Sequence, residues 1–166
     1  LNHIIDVNNG DIENDNIIIH SNDDNIAMFY NRIDTENIGI AGHSTGGGGV
    51  VKLAINDSRV KAVFGFDPWV VPIGEDMLQE GIDVPFLFLR SHQWIEGENN
   101  DYLQILIDES YDIIGYQTYA TTHQDFVYIH AFNPLMKIMG VTGELNTSTN
   151  FSIQMDYLLD FFDRNL

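Results

Sequence analysis

One short segment of the chain places a serine among glycines, in residues 37–51, NIGIAGHSTGGGGVV. Glycine destabilises the interior of a helix or strand, so a cluster of glycines indicates a turn that side chains would obstruct. A serine hydroxyl in such a turn can attack a carbonyl carbon if a histidine takes its proton and a carboxylate orients that histidine. The residues to identify elsewhere in the chain are therefore one histidine and one acid.

The glycines flank the serine at a specific spacing. Gly42-x-Ser44-x-Gly46 follows a short apolar run and precedes a segment with helical character, which is the pattern of the nucleophile elbow of the α/β-hydrolase fold. We expect positions 42 and 46 to lack bulk so that strand and helix pack closely, and the amide of Thr45 to face a developing oxyanion. A phosphate-binding turn fits poorly, because Val50 rather than a Walker lysine follows the glycines.

The general base must be one of six histidines. In this fold the chain order is serine, acid, histidine, and both partners lie on loops at the carboxyl ends of later strands. His123 lies just past the fourth predicted strand, where the base belongs. The remaining histidines precede the serine, lie inside the elbow, come too early in the order or stand seven residues further on; they are His3, His20, His43, His92 and His130.

Two loops compete to supply the acid. The loop after the third predicted strand is its commonest place, but the first acid there, Glu96, stands several residues from the strand end. Asp67 follows the second predicted strand at once, in GFDPWVVP. Asp67 is therefore the preferred acid, although it places the carboxylate one strand early, and Glu96 and Asp101 are the alternatives.

The elements that must position these residues alternate along the chain. Apolar runs rich in β-branched and aromatic residues predict strands, and 3.6-residue periodicity predicts helices. The predicted strands cover 37–41, 59–66, 84–90 and 112–120, and the predicted helices cover 46–56, 99–108 and 151–166. Strands separated by helices predict an α/β fold with a mainly parallel sheet flanked by helices. Ser148 or Thr149 is expected to cap the final helix.

The start of the chain has no initiator methionine, and the spacing of Leu1, Ile4 and Ile5 is typical of the end of an amphipathic helix. We therefore expect residues 1–166 to be a single α/β-hydrolase domain that is the C-terminal portion of a longer protein. On this expectation the N-terminal strands, the second oxyanion donor and any signal peptide lie upstream, and a secreted or periplasmic location stays open.

Residues 8–25 are dense in asparagine and aspartate, which predicts a solvated connection. The acidic residues that begin at Asp11 have the spacing of a calcium loop. An EF-hand, however, requires glycine at its sixth position and glutamate at its twelfth, where this chain has Asn16 and Asn22. A connection is thus the preferred interpretation.

Composition excludes several classes of protein. The 166 residues contain no cysteine, so a disulfide framework and a thiolate metal site are both ruled out. No apolar run approaches the length of a membrane span. A formal net charge of -18 argues against nucleic acid or an anionic membrane as a partner. The chemistry predicted for Ser44 requires neither a metal nor an organic cofactor.

The same three site segments resemble the plasma-type platelet-activating factor acetylhydrolases and their bacterial relatives. GHSTGG at 42–47 is similar to the GHSFGG elbow of that family, FDPWVVPIG at 66–74 to its LDAWMFPLG-like acid segment, and THQDF at 122–126 to its VHQNF-like base segment. The resemblance covers about residues 33–132. It implies a serine hydrolase that cleaves esters, with a phospholipid carrying a short or oxidised acyl chain as the substrate.

Two departures from that family leave alternatives open. Thr45 stands where the family usually has an aromatic residue, and the run Gly46–Gly49 is shared with bacterial cutinase-like polyester hydrolases. A generic carboxylesterase or polyester hydrolase is therefore the alternative enzyme, and an inactive hydrolase-fold binding module is the alternative outside the enzymes. Trp69, Trp94 and Phe126 are candidates for lining the substrate pocket, with a core role as the alternative for each.

Overall fold

A computed structural model describes residues 1–11, 26–127, 133 and 135–166 of the chain. These residues form two compact units, Leu1–Ile38 and Gly39–Leu166.

The first unit contains helix α1 (Asn2–Asn9) and a 3-10 turn at Ile26–Phe29. The side-chain oxygen of the buried Asn8 accepts hydrogen bonds from the backbone N–H groups of Arg32 and Ile33, at 3.0 and 2.9 Å. Helix α1 includes Asn8 and Asn9, which are the first two residues of the predicted connection at 8–25. Residues 12–25 of that connection, with most of the calcium-loop pattern and with His20, lie outside the described residues.

The second unit carries the predicted alternation of strands and helices. Its strands are β1 (Ile38–His43, which begins at the boundary), β2 (Val60–Phe66), β3 (Phe86–Ser91) and β4 (Ile113–Thr118). Its helices are α2 (Thr45–Asn56), α3 (Glu75–Leu78), α4 (Glu98–Glu109), α5 (Leu135–Ile138) and α6 (Thr147–Asn165). Each strand and helix predicted from the sequence is present, with boundaries shifted by up to four residues.

The strands form one sheet in the order β1-β2-β3-β4. Strand β3 pairs in parallel with both neighbours, with Phe64 opposite Leu87 and Leu89 opposite Tyr116. Parallel pairing requires a crossover between the strands, and helices supply it here. The predicted class, a mainly parallel sheet flanked by helices, is confirmed. Since parallel strands all end at one edge, the segments after β1, β2 and β4 meet there.

The core lies around β2 and β3. Strand β2 is buried at almost every position, which requires cover on both faces of the sheet. Helices α2 and α6 both contact it. One buried cluster joins alternate residues of β2 and β3 to α6; it consists of Ala62, Phe64, Leu87, Leu89, Phe126 and Phe161.

Helix α6 begins four residues earlier than predicted, and its cap is Asn146 rather than Ser148 or Thr149. The side-chain oxygen of Asn146 accepts the backbone N–H of Ser148 at 2.9 Å. Asparagine is as good a cap as serine because its side chain reaches the same unbonded amides. Among the described residues, none of the helices has the length and apolar character that crossing a lipid bilayer requires.

Candidate active site

Ser44 lies in the sharp turn between β1 and α2, with backbone angles φ 55° and ψ -120°. A positive φ is costly for a residue with a side chain, so neighbouring interactions must hold this turn. The N–H of Ser44 donates to the carbonyl of Phe66 at 3.0 Å, and the carbonyl of Ser44 accepts the N–H of Trp69 at 2.8 Å. The turn is thus fixed by the end of β2 and the segment that follows it.

The glycines around the serine have unequal roles. A Cβ on Gly42 would lie 2.3 Å from the carbonyl oxygen of Gly46, so position 42 requires glycine. A Cβ on Gly46 would meet none of the described atoms within 4 Å. Among the described residues, no atom thus requires position 46 to lack bulk. The Cα of Gly42 lies close to the backbone of Gly46. A side chain is therefore excluded at position 42 and not at position 46.

Gly47 and Gly48 have a steric role that the elbow motif does not indicate. A Cβ on Gly47 would lie 2.7 Å from the Cα of Pro68, and one on Gly48 would lie 2.1 Å from the carbonyl oxygen of Trp69. Helix α2 therefore packs directly on the backbone of the segment after β2. The signal in the sequence is that the glycine run continues past the elbow motif into a helix. A helix interior otherwise disfavours glycine, so the extra glycines indicate a close contact.

Asp67 is the first residue of that segment and is almost fully buried, with φ 42°. Its N–H donates to the carbonyl of Leu89 at 2.8 Å, and its Oδ1 accepts the N–H of Ser91 at 2.7 Å. The end of β3 thus holds both the backbone and the carboxylate of Asp67. The second carboxylate oxygen remains for another donor.

Asn99, at the start of α4, fixes the rest of the same segment. Its Oδ1 accepts the N–H of Val70 at 2.8 Å, and its Nδ2 donates to the carbonyl of Pro68 at 3.0 Å. One side chain therefore bonds the backbone on both sides of Trp69. Nothing in the sequence marked Asn99, because its partners lie about thirty residues away and the contact exists only after folding.

His123 opens a 3-10 turn, His123–Val127, after β4. Its Nε2 lies 2.8 Å from Ser44 Oγ, and its Nδ1 lies 3.1 Å from Asp67 Oδ2. A carboxylate accepts only, so Nδ1 carries the proton in this contact and Nε2 is free to accept the serine O–H. The two alternative acids, Glu96 and Asp101, are exposed at the surface.

The turn that carries the histidine is fixed by buried polar groups on either side. Asp125 accepts the N–H groups of Thr122 and Gly143 on its Oδ2, at 2.7 and 2.8 Å. Its carbonyl accepts the side chains of Asn150 and Gln154 of α6, at 3.0 and 3.2 Å. These residues were not predicted as part of the site; the available signal is a pair of amide side chains four residues apart on an amphipathic helix.

The other histidines have different surroundings. His3 is exposed on α1, and the exposed His92 has a ring nitrogen 3.0 Å from the side-chain amide of Gln117. His43 packs against the candidate base, and its Nε2 lies 3.1 Å from the carbonyl oxygen of His123. Burial, and then the nearby His123, lower the pKa of His43. His43 is thus neutral at pH 7 and donates from Nε2. His130 lies outside the described residues.

The three aromatic side chains predicted as pocket candidates, and Thr45, have different surroundings. Phe126 is buried in the core cluster, which is the alternative role expected for it, and its ring centroid lies 5.7 Å from that of Phe66. Trp94 stacks on the ring of His123, and Trp69 is 39% exposed. Thr45 is the first residue of α2, where the helix provides no acceptor for its amide.

No three of the described histidine, aspartate and glutamate side chains lie close enough together to hold a metal ion.

A strained serine turn that joins a strand of a mainly parallel sheet to a helix is the geometry of the α/β-hydrolase fold. A solved ferulic acid esterase from Streptomyces cinnamoneus has a similar fold, with a TM-score of 0.61 and 24% sequence identity over 81% of this chain and 42% of that chain. The family model for platelet-activating factor acetylhydrolase, isoform II, matches residues 1–166. The chain belongs to this family.

Similar curated proteins carry the family's name. The platelet-activating factor acetylhydrolase of Gallus gallus is 34% identical over 64 residues, which is 37% of this chain and 15% of that protein. Those of Cavia porcellus and Bos taurus are 24% and 23% identical over 80% and 85% of this chain. The chain spans 30% and 32% of the length of these two relatives.

Proposed function

We propose that the protein hydrolyses carboxylic esters, with Ser44 as nucleophile, His123 as general base and acid, and Asp67 as the carboxylate that orients the histidine. The observation that carries the proposal is the pair of distances at the imidazole, 2.8 Å from Nε2 to Ser44 Oγ and 3.1 Å from Nδ1 to Asp67 Oδ2. Proton transfer requires contacts of this length, and here they occur on one ring.

In the acylation step the Ser44 Oγ attacks the acyl carbon of the ester while its proton moves to Nε2 of His123. The ring becomes an imidazolium, which Asp67 stabilises through the Nδ1–H. The carbonyl oxygen of the ester becomes an oxyanion, and the Thr45 amide at the start of α2 donates to it. The imidazolium then gives its proton to the departing alkoxide, which leaves an acyl-serine.

In the deacylation step a water molecule attacks the acyl-serine, and Nε2 of His123 takes the proton of that water. Collapse of the second tetrahedral intermediate releases the carboxylic acid, and the proton returns from Nε2 to Ser44 Oγ. Protons are thus exchanged only among Ser44, His123, water and substrate. The proposed reaction therefore requires neither a metal nor an organic cofactor.

The substrate class that we propose is a phospholipid with a short or oxidised acyl chain. Membership of the acetylhydrolase family and the names of the curated relatives support this class. The alternative substrate is a general carboxylic ester or a polyester, which the glycine run at 46–49 favours because cutinase-like enzymes share it.

The test of the chemistry is labelling of the intact protein with a fluorophosphonate probe, which reacts with an activated serine. We expect wild type to be labelled and Ser44→Ala to remain unlabelled. A wild-type protein that resists the probe and turns over none of the esters would indicate an inactive hydrolase-fold binding module.

The test of the substrate class compares turnover of a two-carbon acyl phospholipid analogue, a long-chain phospholipid and a soluble polyester oligomer. We expect the short-acyl phospholipid to be preferred. Preference for the polyester would replace the proposed substrate and leave the ester-hydrolase chemistry in place.

A further inference from the structure

The imidazole of His123 packs against two other rings. The indole of Trp94 stacks on the imidazole, with ring centroids 3.8 Å apart and planes 6° from parallel. The ring of His43 packs 4.5 Å away at 34°. We propose that Trp94 is a positioning residue for ester hydrolysis, which holds the His123 ring in line and stabilises its imidazolium form. This inference rests on the proposed function.

The backbone of Trp94 is held by side chains of β3 and α4. The carbonyl of Trp94 accepts a hydrogen bond from Arg90 Nη2 at 2.6 Å, and Arg90 Nη1 donates to Asn100 Oδ1 at 2.8 Å. The neighbouring Gln93 accepts the backbone N–H of His123 on its Oε1 at 3.0 Å. The segment therefore binds the backbone of the histidine and presents an aromatic face to its ring.

This segment is the one in which the α/β-hydrolase fold commonly carries its acid. Here the acid comes from Asp67, one strand earlier, and the segment contributes Trp94 instead. Because Asp67 contacts the ring edge at Nδ1, the ring face is available for stacking. The edge and the face of one imidazole are thus held by two different segments.

Stacking matters for rate because the ring gains its charge only as Ser44 loses its proton. A cation over an aromatic face is attracted by the ring quadrupole, and tryptophan gives the strongest attraction. The attraction is weak for the neutral resting imidazole and strong in the charged transition state. An interaction of this kind raises kcat more than it lowers KM.

The elements near the His123 ring also carry charged or titratable side chains. Asp67 lies on the segment after β2, Arg90 at the end of β3, His43 in β1 and Asp125 on the histidine turn itself. Substitution of Trp94 removes none of these side chains. A change in the pH dependence of the variant therefore reports the loss of the indole.

The experiment compares Trp94→Leu with Trp94→Phe in the intact protein, on an ester that wild type hydrolyses. For Trp94→Leu we expect kcat to fall about tenfold with KM within about twofold, and the acid limb of the kcat/KM profile to move about half to one unit to lower pH. The limb moves down because an unstacked imidazolium releases its proton more readily. Trp94→Phe keeps an aromatic face and should stay within about threefold of wild type.

Controls separate this role from packing and from the proposed function. Tyr111→Leu removes an aromatic ring that is 96% exposed and should change neither kcat nor the profile. Equal losses in the Phe and Leu variants with an unmoved acid limb would overturn the inference, as would a Leu variant that matches wild type. If Trp94→Leu fails to fold, Trp94→Met serves the same comparison. Turnover that survives in Ser44→Ala would instead overturn the proposed function.

Discussion

The carbonyl oxygen of Trp69 occupies the position that a side chain on Gly48 would need, since a Cβ there would lie 2.1 Å from that oxygen. Helix α2 and the segment that carries Asp67 therefore pack backbone against backbone. The N–H of Trp69 also bonds the carbonyl of Ser44 at 2.8 Å. The candidate nucleophile and the candidate acid are in this way parts of one closely packed unit.

The first prediction compares two adjacent glycines of α2. Gly48→Ala should lower the free energy of unfolding by about 2 kcal/mol through overpacking, and should reduce ester turnover because the acid segment must move. Gly49→Ala should leave stability unchanged or raise it by up to about 1 kcal/mol, as expected for alanine in a helix. Urea unfolding measures both. Equal effects at the two positions would contradict this packing, because a Cβ on Gly49 meets no described atom within 4 Å.

The second prediction concerns the three candidate catalytic residues. Ser44→Ala or His123→Ala should lower kcat by about 10⁴-fold or more, because both act on the same proton. Asp67→Asn should also be severe, because an amide at this position favours the wrong imidazole tautomer. Steady-state kinetics on a short-acyl ester measures each loss.

Combined substitutions at these positions should cost little more than the worst single one, as expected for residues that act as a unit. His92→Ala is the control and should stay within about tenfold of wild type, a loss equivalent to about 1.4 kcal/mol of indirect disturbance. Losses that multiply in the double variants would show that the three side chains act independently.

The third prediction concerns the side chain that bonds the acid segment on both sides of Trp69. Asn99→Ala removes the bonds to Val70 N–H and Pro68 carbonyl, and should lower the free energy of unfolding by about 1–3 kcal/mol and reduce kcat. Gln104→Ala on the same helix removes only an exposed bond to Asp108 and should change stability by less than about 0.5 kcal/mol. Thermal unfolding and kinetics on both variants make the comparison.

The fourth prediction concerns pH. Burial lowers the pKa of His43 below its ordinary value of 6.5, so the unfolded chain binds this proton more readily than the folded one. The stability associated with neutral His43 is therefore complete above about pH 6.5 and declines as the pH falls below it.

His43→Gln keeps a donor near the carbonyl of His123 and removes the titration. We expect the variant to lose less free energy of unfolding than wild type between about pH 7.5 and about pH 5.5. Denaturant unfolding at both pH values measures the difference. The explanation fails if the two proteins lose stability in parallel.

Most of the fold could be predicted from local patterns. The sequence of β3 is a continuous apolar run because the strand is buried on both faces. The sequence of α6 has amphipathic periodicity because one face of the helix packs on the sheet. The cap of α6 was misplaced because Asn146, Ser148 and Thr149 are all capable caps. Only the backbone path shows which of them reaches an unbonded amide.

Part of the site could also be predicted from the order of motifs. Ser44, Asp67 and His123 each follow a strand of a parallel sheet, and such strands end at one edge, so their proximity was expected. The different surroundings of Gly42 and Gly46 could not be predicted, because motif spacing does not reveal which of two backbones would meet a side chain. The positions of Trp94 and Asn99 were not foreseen, since their partners lie 29 to 31 residues away in sequence.

The sequence alone determined the alternation of strands and helices, the strained serine turn and the order of the three site residues, because periodicity, glycine placement and motif order are local properties of a chain. The tertiary structure decided which glycines contact the acid segment, which ring lies on the imidazole and which amides hold the two site turns. These features depend on distances between segments far apart in sequence. Such distances are set by how the helices pack on the sheet, and they cannot be predicted from a linear sequence pattern.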